Sequence, residues 1–246
     1  SSTTKITVPA NYLIGVGDEI EILFLGSENR IANLTVNREG SIFVPDIGPV
    51  TIAGLTFKEA KELLKTRISN QKIGVEASIT MGKLQLIQIF ITGDAYNPGA
   101  YLVSSLSTLT NALFVSGGVK EIGSLRNISL KRNGKTIITF DLYNFLLNGD
   151  NSSDIRLESG DVIFIPPVGQ RSTIKGEVVR EAVYELIGDE SLETVFNYAG
   201  GLLPSADKGD IQLNRFSVSN VELIDIDLSE IDAKIFKVKN GDVFVI

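Results

Sequence analysis

Three phrases in this chain set an aspartate directly after a glycine and directly before an apolar run: Gly17-Asp18, Gly160-Asp161 and Gly241-Asp242. A carboxylate so placed is a candidate metal ligand or catalytic acid. The reading that the pattern favours is a turn, in which Gly supplies the backbone angle and Asp bonds its own backbone. The stretch Glu222-Leu-Ile-Asp-Ile-Asp227 alternates acids with apolar residues, which puts Asp225 and Asp227 on one face of a strand. That face is either a seat for a hard cation or simply solvated, and the solvated face is the preferred reading. Asp18/Glu19 and Asp189/Glu190 are carboxylate pairs of the kind glycosidases use as acid and base, although adjacency on a turn is slight support for that role. Tyr96, Tyr101 and Tyr184 are candidate rings for stacking on sugars. Gly117-Gly118 is not a phosphate loop, because it follows a helical pattern and no Gly-Lys-Ser/Thr comes after it.

Composition removes most other chemistry. The chain has 246 residues and no Cys, His or Trp. Thiol catalysis, disulfides, Cys/His zinc sites and a Ser-His-Asp triad are therefore excluded. Neither an enzyme nor a bound cofactor or metal is expected. Lys and Arg total 23 against 30 Asp and Glu, a net charge of −7, which argues against nucleic acid as a partner. Hydrophobic residues at 43% and charged residues at 22% are near globular averages. No apolar run approaches the roughly 18–20 residues of a membrane-spanning helix. The opening Ser-Ser-Thr-Thr shows no signal peptide and reads as a trimmed or mature start.

The elements that must hold these residues repeat. With Ile89–Pro167 set over Ser172–Ile246, Gly93 falls on Gly176, Tyr101 on Tyr184, Leu109 on Leu192 and Gly117-Gly118 on Gly200-Gly201, all at an offset of 83. Ile128–Arg132 falls on Ile211–Arg215 at the same offset. The closing phrase Gly160–Ile165 meets Gly241–Ile246 at an offset of 81. Two tandem copies of one module follow, preceded by a different unit over about Tyr12–Met81. The equivalence of Tyr101 and Tyr184 favours a packing role over a sugar contact. The joints near 82–84 and 166–170 are short, so fixed contact between domains is expected.

Glu19–Phe24, Leu34–Val36, Ile42–Val44, Val75–Ile79 and Leu84–Ile91 read as strands, with 37–41 as a turn. Thr56-Phe-Lys-Glu59 is a capping box that opens a helix with Phe57, Ala60, Leu64 and Ile68 on one face. Each repeat reads strand, turn, strand, helix, Gly-Gly, hairpin, closing strand. Leu109, Ala112, Leu113 and Ser116 form the helix face of the first, and Leu192, Val195, Phe196 and Ala199 that of the second. Asn133-Gly134 is a two-residue hairpin turn. A short helix on a small mixed sheet gives an α+β fold of β-grasp type.

The phrase Tyr12-Leu-Ile-Gly15-Val-Gly17-Asp18-Glu-Ile20 resembles the opening motif of outer-membrane polysaccharide export proteins. The stretch from Gly40 through Pro45, Gly48 and Gly54 to the helix is similar to the rest of that family's export domain. The repeats resemble SLBB domains, soluble-ligand-binding β-grasp modules, through Gly93, Pro98, Gly99, Gly117, Gly118, Gly160 and Asp161, and in the second copy Gly176, Gly200, Gly201, Gly241 and Asp242. All of these are motif positions with a structural role. Val16 departs from the family's usual Pro, and Glu181-Ala182 replaces Pro98-Gly99 in the second repeat, so that turn must be made differently. The boundaries this implies are an N-terminal segment 1–11, an export domain 12–83, and SLBB domains 84–168 and 169–246.

The resemblance implies the periplasmic part of an outer-membrane translocon of a Gram-negative bacterium. It would export capsular polysaccharide or exopolysaccharide as a homo-oligomeric ring-shaped conduit. An inner-membrane polysaccharide co-polymerase or tyrosine kinase is the implied partner. Family members often carry a C-terminal pore helix and a lipid-bearing Cys; neither is in this sequence, so an anchor outside it is expected. The alternative function is a β-grasp module binding a soluble ligand or partner protein without a ring. A further expectation is that Lys5–Val8 pairs with an SLBB sheet edge. In that case its amides are protected from hydrogen exchange; rapid exchange excludes the pairing.

Overall fold

A computed structural model describes residues 8–216 and 220–246. The chain divides into two compact units, residues 1–88 with 102–107 and residues 89–101 with 108–246.

In the first unit, β1 (Glu19–Gly26) runs antiparallel between β2 (Arg30–Thr35) and β5 (Val75–Met81). Ile20, Ile22 and Phe24 alternate into the core with no exposed surface, as the period of two requires. Across this strand Ile22 faces Ala32 on one side and Ile79 on the other. Helix α1 (Phe57–Gln71) starts at the expected capping box, with Glu59 N donating to Thr56 Oγ1 at 3.3 Å and Thr56 N donating to Glu59 Oε2 at 2.8 Å. Its Ala60, Leu64 and Ile68 are buried in the same core. The turn at 37–41 is closed by Asn37 Oδ1, which accepts from the N–H groups of Glu39 and Ser41. The strands on either side of that turn do not pair. β3 (Ser41–Val44) pairs instead with β4 (Gly48–Thr51), through the turn that holds Pro45. Of the segment Lys5–Val8, residues 5–7 lie outside the described residues; Val8 packs on the core of this first unit.

Except for residues 86–88 and 102–104, which group with the first unit, the repeat lies in the second. Its first module consists of β6 (Leu86–Gly93), β7 (Gly99–Ser104), α2 (Leu109–Val115), β8 (Ile128–Arg132), β9 (Lys135–Phe140), α3 (Leu142–Asn148) and β10 (Val162–Ile165). Its second consists of β11 (Gln170–Lys175), β12 (Ala182–Leu186), α4 (Leu192–Tyr198), β13 (Ile211–Phe216), β14 (Val221–Ile226) and β15 (Val243–Val245). Each is a five-stranded sheet in which the first strand lies parallel to the last, with the second strand outside the first and a hairpin outside the last. The orders are β7-β6-β10-β8-β9 and β12-β11-β15-β13-β14. Parallel neighbours need a crossover connection, and the short helix supplies it in both copies. This is the expected α+β arrangement of β-grasp type.

Apolar periodicity set these cores. Leu109, Ala112, Leu113 and Ser116 are all buried, as are Leu192, Val195, Phe196 and Ala199. Asn133 and Gly134 both have positive φ, 51° and 77°, the mirror-image turn whose twist suits a hairpin. Helix α3 was not expected from the sequence. Its signals are ordinary: Asp141 caps it by accepting from Tyr143 N, and Gly149 ends it at φ 68°.

Two glycines decide whether each sheet can close. Gly93 (φ 79°) and Gly176 (φ 92°) sit where the first strand leaves the last one. A Cβ on Gly93 would overlap the carbonyl oxygen of Ile165, and one on Gly176 that of Ile246. The same carbonyls accept from Asp94 N at 2.9 Å and from Glu177 N at 3.0 Å, so neither can retreat without losing a bond. Gly160 also has positive φ, but nothing lies within 4 Å of its would-be Cβ. Gly93→Ala is expected to lower stability by about 2 kcal/mol or more, from strain and clash together. Gly160→Ala is expected to cost only about 1 kcal/mol, for the left-handed backbone alone. Urea unfolding of the two variants measures the difference.

Candidate functional site

The three glycine-aspartate phrases are turns, and they are also buried clamps. Asp18, Asp161 and Asp242 have no exposed surface. Each carboxylate accepts from the backbone N–H three residues earlier, Gly15, Glu158 and Lys239 respectively, at 2.8 Å in every case. A buried carboxylate needs further partners, and the two repeats supply the same one. Arg132 donates from Nε and Nη2 to Asp161, both at 2.8 Å. Arg215 donates to Asp242 at 2.9 and 2.7 Å. The first unit uses neutral donors instead: Tyr12 Oη at 2.8 Å and Gln85 N at 2.8 Å reach Asp18. Burial, helped by Asp18, pushes the Tyr12 phenol up to about 12, so it stays a donor at any physiological pH. These carboxylates bind the chain to itself and have little left with which to hold a metal or move a proton.

The remaining sequence candidates also separate. Asp227 lies one residue beyond β14 and accepts from Ser229 N and Oγ at 2.7 and 2.6 Å. Asp225 is exposed opposite Gln212. Among the described residues, no three carboxylates gather in a way that could hold a metal ion. Glu19 lies in β1, and Glu190 pairs with Arg126. Tyr101 and Tyr184 hydroxyls each donate to the carbonyl four residues back, Asn97 and Arg180, at 2.6 and 2.7 Å. The loop after the first strand is therefore tied down alike in both modules. Replacing Pro98-Gly99 by Glu181-Ala182 does not change that tie, contrary to expectation. Tyr96 is exposed. The glycines at 17, 40, 54, 117, 118, 200, 201 and 241 occupy turns or loops at positive φ, as Gly48 does at the head of β4; Gly15 lends its N–H to Asp18.

The feature that sequence reasoning missed is the joint between the two modules. Glu185 on β12 of the second module is 5% exposed. Its carboxylate accepts from Ser124 Oγ (2.6 Å), Leu125 N (2.8 Å) and Arg126 N (3.2 Å) of the first module. Its own N–H donates to Tyr143 Oη at 2.9 Å. Arg126, 7% exposed, runs the other way: Nη1 reaches the Glu185 carbonyl (3.1 Å) and Glu190 Oε1 (2.8 Å), while Nε and Nη2 hold Asp141 at 3.0 Å. The guanidinium lies 4.9 Å from the ring centre of Tyr143 and 5.0 Å from that of Tyr198, and those rings meet edge-on at 5.3 Å. Burial drives the Glu190 carboxyl upward, but the N–H groups of Ile187 and Gly188, together with Arg126, outweigh it and hold the group below its ordinary value. The helix cap Asp141 and the unexpected α3, which carries Tyr143, both serve this joint. Nothing in the spacing of Arg126 and Glu185 signals a pair 59 residues apart.

A cleft of about 500 Å³ opens beside the joint. Arg126 and Glu185 lie at its base, Asn127 and Thr139 come from the first module, and Gln170, Ile187 and Asp189 come from the second and the segment leading into it. A second hollow of about 440 Å³ includes Leu125, Tyr143, Val183 and Glu185.

Comparison with known proteins matches two families. Residues 7–81 match the family described as polysaccharide biosynthesis/export protein, and residues 88–141 and 171–227 match the SLBB domain. Two curated relatives, both polysialic acid transport proteins KpsD of Escherichia coli, are 30% identical over 191 residues. The match takes in 75% of this chain and 34% of each relative, so the chain spans about a third of their length.

Arg126→Met leaves the largely buried Asp141 and Glu190 without their cation, while the Glu185 carboxylate keeps its bonds to Ser124 Oγ and to the N–H groups of Leu125 and residue 126. The substitution is expected to destabilise the second unit by about 3–5 kcal/mol at neutral pH. The lowered Glu190 carboxyl adds stability that is complete above its ordinary value of 4.5 and is lost as pH falls through the depressed one. The gap between wild type and variant is therefore expected to narrow on acidification. Urea titrations at pH 7 and pH 3 check both statements.

Proposed function

The chain belongs to the polysaccharide export family, and on that premise we propose that it forms the periplasmic part of an outer-membrane translocon for capsular polysaccharide or exopolysaccharide. The observation that carries this reading is the ordered series of an export domain and two SLBB domains, matched by relatives named for polysialic acid transport. The proposed module boundaries are 12–83, 84–168 and 169–246. The chain acts as a conduit without catalysis of its own, anchored at the outer membrane and fed by an inner-membrane co-polymerase or tyrosine kinase.

A conduit for a sliding polymer needs a wide lumen, and rigid modules meeting head to tail around an axis provide one. Rigidity is available here, because a buried polar network locks the SLBB pair at its joint. One surface suits contact between copies. Phe114, Val115 and Leu146 of the first module are 59%, 62% and 52% exposed, and Phe114 lies 6.4 Å from Phe145, centre to centre. The residue of α4 equivalent to Val115, Tyr198, packs on Tyr143 and Arg126 of the preceding module within the chain. An apolar counterpart of that contact, left uncovered, marks an interaction site.

Light scattering after size exclusion, over a concentration series, is expected to give one discrete mass of about six to ten copies. A Phe114→Ser/Val115→Ser variant is expected to shift that mass toward the monomer while keeping the same circular dichroism. A wild-type monomer at every concentration overturns the ring and favours the soluble-ligand module. Loss of surface glycan on deletion of the gene, and its return with the wild-type copy, tests the export role apart from the ring.

A further inference from the structure

The cleft beside the SLBB joint has the chemistry of a sugar site. Its position is fixed, because the residues at its base, Arg126 and Glu185, are held by the buried network. Its volume of about 500 Å³ falls within the usual range for small-ligand sites. The mouth is lined by groups that are exposed and carry unused bonding capacity. The side-chain amides of Asn127 and Gln170 have no protein partner among the described residues. Asp189 spends its carbonyl on Lys237 Nζ at 2.6 Å, leaving its carboxylate free. Thr139 adds a hydroxyl, and Ile187 and Pro167 add apolar surface. Amides and a carboxylate can donate to and accept from vicinal hydroxyls, and small apolar patches suit the C–H face of a sugar ring.

Charge narrows the ligand. The one cation at the base, Arg126, is already paired with Asp141 and Glu190. Around it stand Glu185 and Asp189 as well, giving four carboxylates to one guanidinium. Lys237 Nζ, donating to the Asp189 carbonyl at 2.6 Å, adds a second cation at the rim; four carboxylates against two cations still oppose the entry of an acidic sugar. We propose that this cleft is a subsite for a short uncharged stretch of glycan, held by Asn127, Gln170, Thr139 and Asp189 against Ile187. The proposal rests on the export reading for its ligand class. It gives the SLBB pair a weak, reversible hold on a passing chain, on the order of millimolar, as suits a polymer that must move on.

The test is methyl-detected NMR of the full chain with labelled Ile and Thr, which tolerates a large assembly. The titrants are maltotriose, chitotriose and a sialic acid trimer. Saturable shifts are expected at Ile187 and Thr139 with at least one neutral trisaccharide, and none with the acidic one. Asn127→Ala/Gln170→Ala, both on exposed side chains, is expected to weaken that binding about tenfold while the other methyl resonances stay in place. Shifts confined to other sites, no shifts with either neutral sugar, or shifts at the cleft with the sialic acid trimer alone each overturn the proposal. The export reading is judged separately by the gene-deletion assay. A chain that restores surface glycan yet shows no shift at Ile187 sinks the subsite alone, whereas cleft binding by a chain that does not restore export leaves the subsite standing and removes the export reading.

Discussion

Burying a carboxylate is costly unless each of its oxygens is bonded, and this chain accepts that cost three times. Asp161 and Asp242 stand just before the last strands of their modules and Asp18 just before β1, all with no exposed surface. Each takes an N–H from its own turn and a stronger donor from elsewhere in the fold. In the repeats that donor is an arginine fork, which fixes β8 to the start of β10 in one copy and β13 to the start of β15 in the other. In the export domain it is a phenol, whose neutrality avoids burying a second charge. The geometry resembles a catalytic carboxylate only in isolation; with its partners in place it is a fastening.

The same physics, moved to the boundary between modules, makes the SLBB pair one body. Arg126 and Glu185 each reach into the other module, and the rings of Tyr143 and Tyr198 shield the guanidinium. Such a network is demanding because every member must find its partner in a low-dielectric setting. That demand is what specifies a single relative placement for two domains joined by a short linker. An apolar joint could slide, whereas this one has a register.

A fixed joint has a functional consequence for an export protein. Small modules that cannot flex against each other transmit their geometry to any assembly they build. They also leave permanent clefts at their seams instead of transient ones. On the proposed export role, the carboxylates of the seam would oppose an acidic polymer, while its free amides and hydroxyl would allow brief contact with uncharged sugar.

Much of this was legible in the residues. Internal repetition at an offset of 83, the Thr56–Glu59 box, the Asn133-Gly134 turn and the apolar faces of α2 and α4 are local signals. Local structure follows them because the backbone needs only its near neighbours to satisfy a cap, a turn or a period. The absence of Cys and His likewise decided which chemistries were out of reach. Helix α3 was missed, although its Asp141 cap and Gly149 stop are local signals of the same kind. β3 pairs with β4 across the short turn at 45–47 and not with β2, because a chain neighbour on either side can close a hairpin and the surrounding packing decides which one does. The partners of Asp161 and Asp242 were hinted at only by the matched arginines of the repeat. The Arg126–Glu185 joint and the cleft beside it were decided by tertiary structure alone: their groups meet across some 60 residues of chain, and no local rule records which distant donor a buried carboxylate will find.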